Sequence, residues 1–170
     1  MRRLCYVLLL AVCATAQTET SFLHRVDDNV YRGKQPKKED FAKLAQMGIK
    51  TVLDLRGGLV YKSWEREVAE TAGLQYVRVG LSGILPPRKK QMEKILALLE
   101  DPSRGPVFIH CRRGADRSGV VIACYRVSHY RWTNAQAMQE AEEQGFSRLE
   151  VLMRRYVRHF RASLSPVASR

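Results

Sequence analysis

The chain has 170 residues, 45% of them hydrophobic and 27% charged, and its 29 Lys and Arg against 17 Asp and Glu give a formal net charge of +12. That length suits one domain with one core, and the composition excludes a disordered, collagen-like or coiled-coil chain. The positive balance concentrates anionic partners near the surface, but no zinc-finger spacing, RNA-recognition signature or long basic run with interleaved aromatics points to nucleic acid.

Arg2 and Arg3 precede an apolar run over residues 4–14, and Ala14-Thr15-Ala16 fits a small-x-small cleavage site. This is the grammar of a secretory signal peptide over residues 1–16, which leaves a mature domain over 17–170 and makes export to the periplasm or medium the expected destination. The run is short for a permanent anchor, so no stable membrane span is expected after cleavage; an uncut anchor is the alternative. Removing Arg2 and Arg3 lowers the net charge to +10. Cys5 and Cys13 leave with this segment. Cys111 and Cys124 remain, with no CxxC or His/Cys spacing that would suit a metal.

Val30-Tyr31-Arg32 reads as a short strand ended by Gly33. Residues 37–47 place Phe41, Leu44 and Ala45 on one helical face, with Gly48 as the stop. Residues 49–55 form a buried strand broken by Gly57-Gly58. A helix over 62–72 carries Trp64, Val68 and Ala72 in register, and 74–81 is the next strand. Beyond a loop at 82–87, Met92, Ile95, Leu96 and Leu99 fall at i, i+3, i+4, i+7, opposite Lys89, Lys90 and Glu93. Asp101-Pro102 stops that helix, and 106–109 is a short apolar strand. Ser118 opens an almost wholly apolar helix, the mark of a buried central one, in which Cys124 reads as a small core residue. A helix capped by Thr133 follows. The last helix carries Leu149, Leu152, Met153, Tyr156 and Phe160. Strands alternating with helices predict a single α/β domain with a central, mostly parallel sheet flanked by helices.

The segment His110-Cys111-Arg112-Arg113-Gly114-Ala115-Asp116-Arg117-Ser118-Gly119 joins the last strand to the apolar helix. In open α/β sheets, ligands bind beyond the carboxyl ends of strands. A loop running into a helix N-terminus offers free N–H groups and a positive dipole end, which suit phosphate. Gly114, beside Ala115, permits a tight curl, and Gly119 lets the backbone pass close to the loop. Cys111 lies at the base of this cradle, where the same field favours the nucleophilic thiolate. His110 can fix the loop by hydrogen bonds to backbone. Arg117 can clamp two phosphate oxygens in a planar fork, which helps most in the transition state. Ser118 can donate to the sulfur when it becomes the leaving group. Together these parts describe covalent catalysis through a phosphocysteine. Arg112, Arg113 and Arg56 either add positive charge at the pocket mouth or are solvated.

The string His-Cys-x-x-Gly-x-x-Arg-Ser-Gly resembles the signature of the protein tyrosine phosphatase superfamily, in its dual-specificity branch. Val30-Tyr31-Arg32-Gly33-Lys34-Gln35-Pro36 and Thr51-Val52-Leu53-Asp54-Leu55-Arg56 are similar to segments of the small bacterial members. The resemblance implies the three-layer phosphatase fold and hydrolysis of phosphomonoesters without a metal or other cofactor. The partners it implies are phosphorylated proteins or small anionic phosphoesters, including inositol phosphates and phosphoinositides. Members of the branch usually supply a general-acid aspartate from a loop well before the cysteine. The corresponding loop here, residues 80–88, has no carboxylate. Asp116 is the first candidate for that role, because Cys-x-x-Gly-x-Asp-Arg-Ser is similar to the loops of myotubularin and Sac-type lipid phosphatases. Its alternative is to pair with a neighbouring arginine or to point to solvent. Asp54 and Glu65 are weaker candidates, and Asp54 reads better as a strand-end residue bonded to backbone. Two other functions compete. A rhodanese-like sulfurtransferase has similar Cys-Arg-x-Gly strings but a shorter loop. A non-catalytic phosphate-binding module is motivated by the missing acid.

Overall fold

The computed structural model describes residues 22–58 and 64–162. The leader expected over 1–16 and the first two residues of the helix expected over 62–72 lie outside the described residues. No helix among the described residues is long and apolar enough to cross a membrane.

The elements run β1 (Leu23–Arg25), β2 (Val30–Gly33), α1 (Asp40–Gln46), β3 (Thr51–Arg56), α2 (Trp64–Thr71), β4 (Gln75–Leu81), α3 (Lys89–Glu100), β5 (Val107–His110), α4 (Asp116–His129), α5 (Asn134–Glu143) and α6 (Val151–His159). They build one five-stranded sheet in the order β1-β2-β5-β3-β4. The four strands from β2 to β4 are mutually parallel, and β1 closes one edge antiparallel to β2. The carboxyl ends of β2, β3, β4 and β5 therefore open on the same side of the sheet, and the loops that follow them gather there.

Side chains alternate across a strand, and this divides the core in two. Val107 and Ile109 of β5 join Leu53, Leu55 and Val79 under the layer of α3 to α6. Phe108 joins Val52 and Tyr76 under α1 and α2, with Phe41 and Leu44 from α1. Each such fully buried side chain contributes roughly 1.5–3 kcal/mol. The helix α4 is buried from Ser118 to Tyr125, as its all-round apolar sequence requires, and Cys124 is enclosed there. Thr133 caps α5 by accepting a hydrogen bond from the Gln136 N–H.

Two expectations about helix faces need correction. In α6, Met153 and Val157 are buried, whereas Leu149 is 89% and Leu152 47% exposed. The helix starts only at Val151, so Leu149 lies in the loop before it. Leu152 lies one position off the buried face, on the rim of a groove of about 970 Å³ between α3 and α6. In α2 the enclosed residues are Glu65 and Ala69, while Trp64 and Val68 are only half-buried. Trp64 packs edge-on to Phe41 at a ring separation of 6.1 Å. A carboxylate on the inner face of a short helix conflicts with burial by hydropathy alone, and its reason lies in the site.

Candidate active site

Cys111 follows β5 directly and is 2% exposed. The next residues curl under the N-terminus of α4. The Gly114 N–H donates to Cys111 Sγ at 3.3 Å, and Ser118 Oγ lies 3.6 Å from the same sulfur. The sulfur is thus met by an amide and a hydroxyl at the positive end of a helix of 14 residues. The curl depends on Gly114. Its φ is +77°, and a Cβ there would lie 2.5 Å from the Gly33 carbonyl carbon and 2.6 Å from Lys34 N. Gly119 does not carry the close approach expected of it. A Cβ at that position would meet Phe146 at 3.6 Å and Arg32 at 3.7 Å, ordinary van der Waals contacts. The tight spacing is between the loop and the end of β2.

Arg117 lies half-buried in the first turn of α4 and makes no hydrogen bond or ion pair with any described residue, so its fork of donors is uncommitted. Arg112 is exposed, and its carbonyl accepts from the Gln35 N–H at 3.3 Å, tying the loop to the segment after β2. Arg113 is exposed and pairs with Asp116 through Nη2 and Oδ2. The other Asp116 oxygen accepts from the Ser147 N–H at 3.1 Å. Both oxygens of Asp116 are thereby engaged, and the residue ties the α5–α6 loop to the phosphate loop. Ala115 stands between these contacts, and its carbonyl accepts from Arg32 at 3.2 Å. The loop that follows β4 carries exposed Ile84 and Leu85 where members of the branch usually place a general acid.

His110 lies on the opposite face of the sheet from Cys111. Alternation along β5 turns its ring away from the phosphate loop and onto the α2 side, where it stacks on Phe108 at 5.7 Å. Neither ring nitrogen makes a well-aligned hydrogen bond with a described residue, although the Cys111 backbone lies close enough to the ring to favour its protonated form. Its neighbours are Glu65 Oε2 at 3.5 Å and Asp54 Oδ1 at 4.0 Å. Asp54 and His110 face each other across the β3–β5 register. Asp54 also accepts from the Arg56 backbone N–H at 2.8 Å, from the Arg56 guanidinium at 2.9 and 2.8 Å, and from the Tyr76 hydroxyl at 2.7 Å. Gln35 donates to Glu65 Oε1 at 2.7 Å. Asp54, Glu65 and His110 offer ligand atoms within 4.8 Å of one another, a spacing that could hold a metal. The Arg56 guanidinium, 2.8 Å from Asp54 and 2.6 Å from Glu65, already supplies the cation between the carboxylates. Arg56 is thus bound within this cluster.

The charge states of the cluster follow from burial against pairing. Burial alone would raise Asp54, but the hydrogen bonds from Arg56 and Tyr76 together with the neighbouring His110 outweigh it and hold this carboxyl below its ordinary value. Glu65 has the weaker share of Arg56; burial, aided by the Asp54 charge, pushes it up to about 7. Burial holds His110 down to about 4 against the attraction of Asp54. Near neutrality the cluster is therefore an Asp54–Arg56 ion pair with a neutral imidazole and a Glu65 able to keep its proton.

These shifts have opposite effects on stability. A raised carboxyl stabilises the fold fully below its unfolded value of about 4.5 and loses that contribution as pH rises to about 7. A lowered imidazole contributes above 6.5 and loses as pH falls towards 4. The two slopes largely cancel in the wild type between these limits. Glu65→Gln removes only the first, so its melting temperature relative to wild type is expected to climb as pH rises from 4.5 to 7. The climb should correspond to on the order of 2 kcal/mol, or about 4–8 °C. A difference that stays constant with pH would show that Glu65 does not titrate in this window.

Arg32, absent from the candidate site residues read in the sequence, is a new member of the site. Its guanidinium is buried beneath the phosphate loop and donates to the carbonyl of Gly114 at 2.7 Å as well as to that of Ala115. One signal pointed to it: Val30 and Arg32 share a strand face, and a charge on a core-facing position needs a partner.

A family model described as "DSP-PTPase phosphatase fused to NAD+ Kinase" matches residues 9–158. The inositol diphosphatase DSP4 of Arabidopsis thaliana is 25% identical over 139 residues, 79% of this chain and 69% of that protein. The inositol diphosphatase SIW14 of Saccharomyces cerevisiae is 26% identical over 142 residues, 81% and 50% of the two chains. The dual specificity protein phosphatase TpbA of Pseudomonas aeruginosa is 25% identical over 124 residues, 73% and 55%. The matched stretch spans between 50% and 69% of the length of these relatives. Among solved structures, the core catalytic domain of the PP-IP phosphatase SIW14 from S. cerevisiae shares the fold at a TM-score of 0.72 and 24% identity, covering 82% of this chain and 85% of that one. P. aeruginosa TpbA shares it at 0.66 and 22%, covering 84% and 92%.

Proposed function

The chain belongs to the DSP-PTPase phosphatase family, and from that premise we propose that it hydrolyses phosphate from a small, highly phosphorylated ligand through a phosphocysteine on Cys111, with a phosphoanhydride such as an inositol diphosphate as the preferred bond. Cys111 Sγ attacks phosphorus, the S–P bond forms and the bond to the leaving oxygen breaks. Arg117 and the free amides at the start of α4 hold the three equatorial oxygens. Water then attacks the same phosphorus, the S–P bond breaks, and the Ser118 hydroxyl donates to the departing sulfur. Inorganic phosphate leaves with the water-derived oxygen.

The observation that carries the choice of bond is the absence of any carboxylate in residues 80–88. A positioned acid contributes roughly 10²–10⁴-fold, and how much it is needed depends on the leaving group. A tyrosine phenolate has a conjugate acid near pKa 10, and an alkoxide is more basic still. The phosphate monoester dianion expelled from an anhydride takes up a proton only near pH 6, so it leaves without help. Asp116, with both oxygens engaged, is given no proton transfer in this reading. The exposed Arg112 and Arg148, with Lys34 at the end of β2, suit a ligand with several phosphates rather than one. The names of two relatives, inositol diphosphatases, point the same way.

Phosphate release from an inositol diphosphate, an aryl phosphate, a phosphotyrosine peptide and a phosphoserine peptide tests the proposal. Turnover is expected to fall steeply in that order. A phosphoserine peptide cleaved as fast as the anhydride would contradict it. Transfer of sulfur from thiosulfate to cyanide would instead support the sulfurtransferase reading.

A further inference from the structure

We infer that Arg32 is a positioning residue for catalysis: its buried guanidinium holds the phosphate loop in its curled form and is the fixed countercharge of the Cys111 thiolate. This rests on Cys111 being the nucleophile. Arg32 is 3% exposed, and no carboxylate among the described residues lies within ion-pair distance of it. The nearest acids are committed elsewhere. Asp116 of α4 pairs with Arg113, and Glu140 of α5 pairs with Arg126 at 2.6 Å. A buried cation without a carboxylate is costly, and its position needs a physical reason.

Two features of the loop supply one. The first is orientation. Within a trans peptide unit the C=O and N–H point in opposite directions. Arg32 draws the carbonyls of Gly114 and Ala115 towards β2, which turns the N–H groups of Ala115 and Asp116 the other way, to the side where a phosphate would be cradled. The second is charge. Val30, Arg32, Ile109 and Cys111 share one face of the sheet, because Arg32 pairs with Ile109 in the β2–β5 register. Burial pushes the Arg32 guanidinium below its ordinary value, and the charge of Cys111 is the largest influence opposing that shift, ahead of Glu140 and Asp116. Arg32 and Cys111 lie on that same buried face, so the attraction between them is mutual.

Arg32→Gln, which can still donate to one carbonyl, and Arg32→Lys, which keeps the charge without the fork, separate the two roles. Alkylation of Cys111 by iodoacetamide, followed by mass spectrometry across pH, reads the thiolate without turnover. For Arg32→Gln the alkylation midpoint is expected to rise by about one pH unit, with turnover at pH 6 falling about 100-fold. For Arg32→Lys the midpoint should stay near wild type while turnover falls about tenfold, from the lost second hydrogen bond. An unchanged midpoint in Arg32→Gln would overturn the inference. Should that variant fail to fold, Arg32→Lys decides alone: a retained midpoint supports the countercharge, and a rise of about one unit overturns it. Failure of the catalytic reading appears separately, as wild-type turnover by Cys111→Ser.

Discussion

Cys111→Ser is expected to lower turnover on an anhydride substrate by on the order of 10⁴–10⁶-fold, the range seen when a covalent nucleophile is removed, while leaving ligand affinity nearly unchanged. The substitution exchanges a polarisable thiolate for a hydroxyl that stays protonated at neutral pH. The groups that hold the phosphate are elsewhere: the loop amides and Arg117. The Gly114 N–H that donates to Sγ at 3.3 Å can donate equally well to a serine oxygen, so the loop keeps its shape. Rapid-mix phosphate release gives the rate, and calorimetric titration with a slowly cleaved analogue gives the affinity. Loss of both together would mean that Cys111 organises the loop rather than attacking through it. Turnover equal to wild type would sink the covalent reading.

Gly114→Ala is expected to be the most damaging change that removes no functional group. At φ +77° an added Cβ costs about 1–2 kcal/mol by itself, and here it would also lie 2.5 Å from the Gly33 carbonyl carbon. Backbone cannot yield as a side chain can, so the loop must move off the end of β2. That movement breaks the Arg32 contact to the Gly114 carbonyl and swings the amides away from the phosphate. A loss of more than about 2 kcal/mol in stability and of about 100-fold or more in turnover is expected. Gly119→Ala is the control. Its Cβ meets only ordinary contacts at 3.6–3.7 Å, and in a helix alanine is favoured over glycine by up to about 1 kcal/mol. It should therefore fold as well as wild type or better. Equal tolerance at both positions would show that the β2 contact does not shape the loop.

The contrast between these glycines shows what could be read before folding. The phosphate loop was legible because its parts are local: an apolar strand, a glycine turn and a helix N-terminus lie within one short segment, and their chemistry follows from adjacency. The strand and helix order was legible for the same reason, since periodicity belongs to each segment alone. Arg32 was not, because its contact with the loop depends on strand register. Arg32 reaches the loop only because β2 lies beside β5 rather than beside β3. His110 was assigned to the loop by its position next to Cys111. Alternation along β5 turns it to the opposite face, a consequence that counting from Val107 could have revealed. Glu65 was legible only as a candidate acid; its place against Arg56, Gln35 and His110 is a tertiary arrangement that no local pattern carries.

The most direct test of covalent catalysis is an acid quench during turnover, followed by mapping of phosphate onto the chain. A burst of product matched by phosphate on the Cys111 peptide is expected in wild type, and neither burst nor label in Cys111→Ser. Full turnover with no phosphate on Cys111 at any time, by an enzyme whose release step is the slower one, would contradict it.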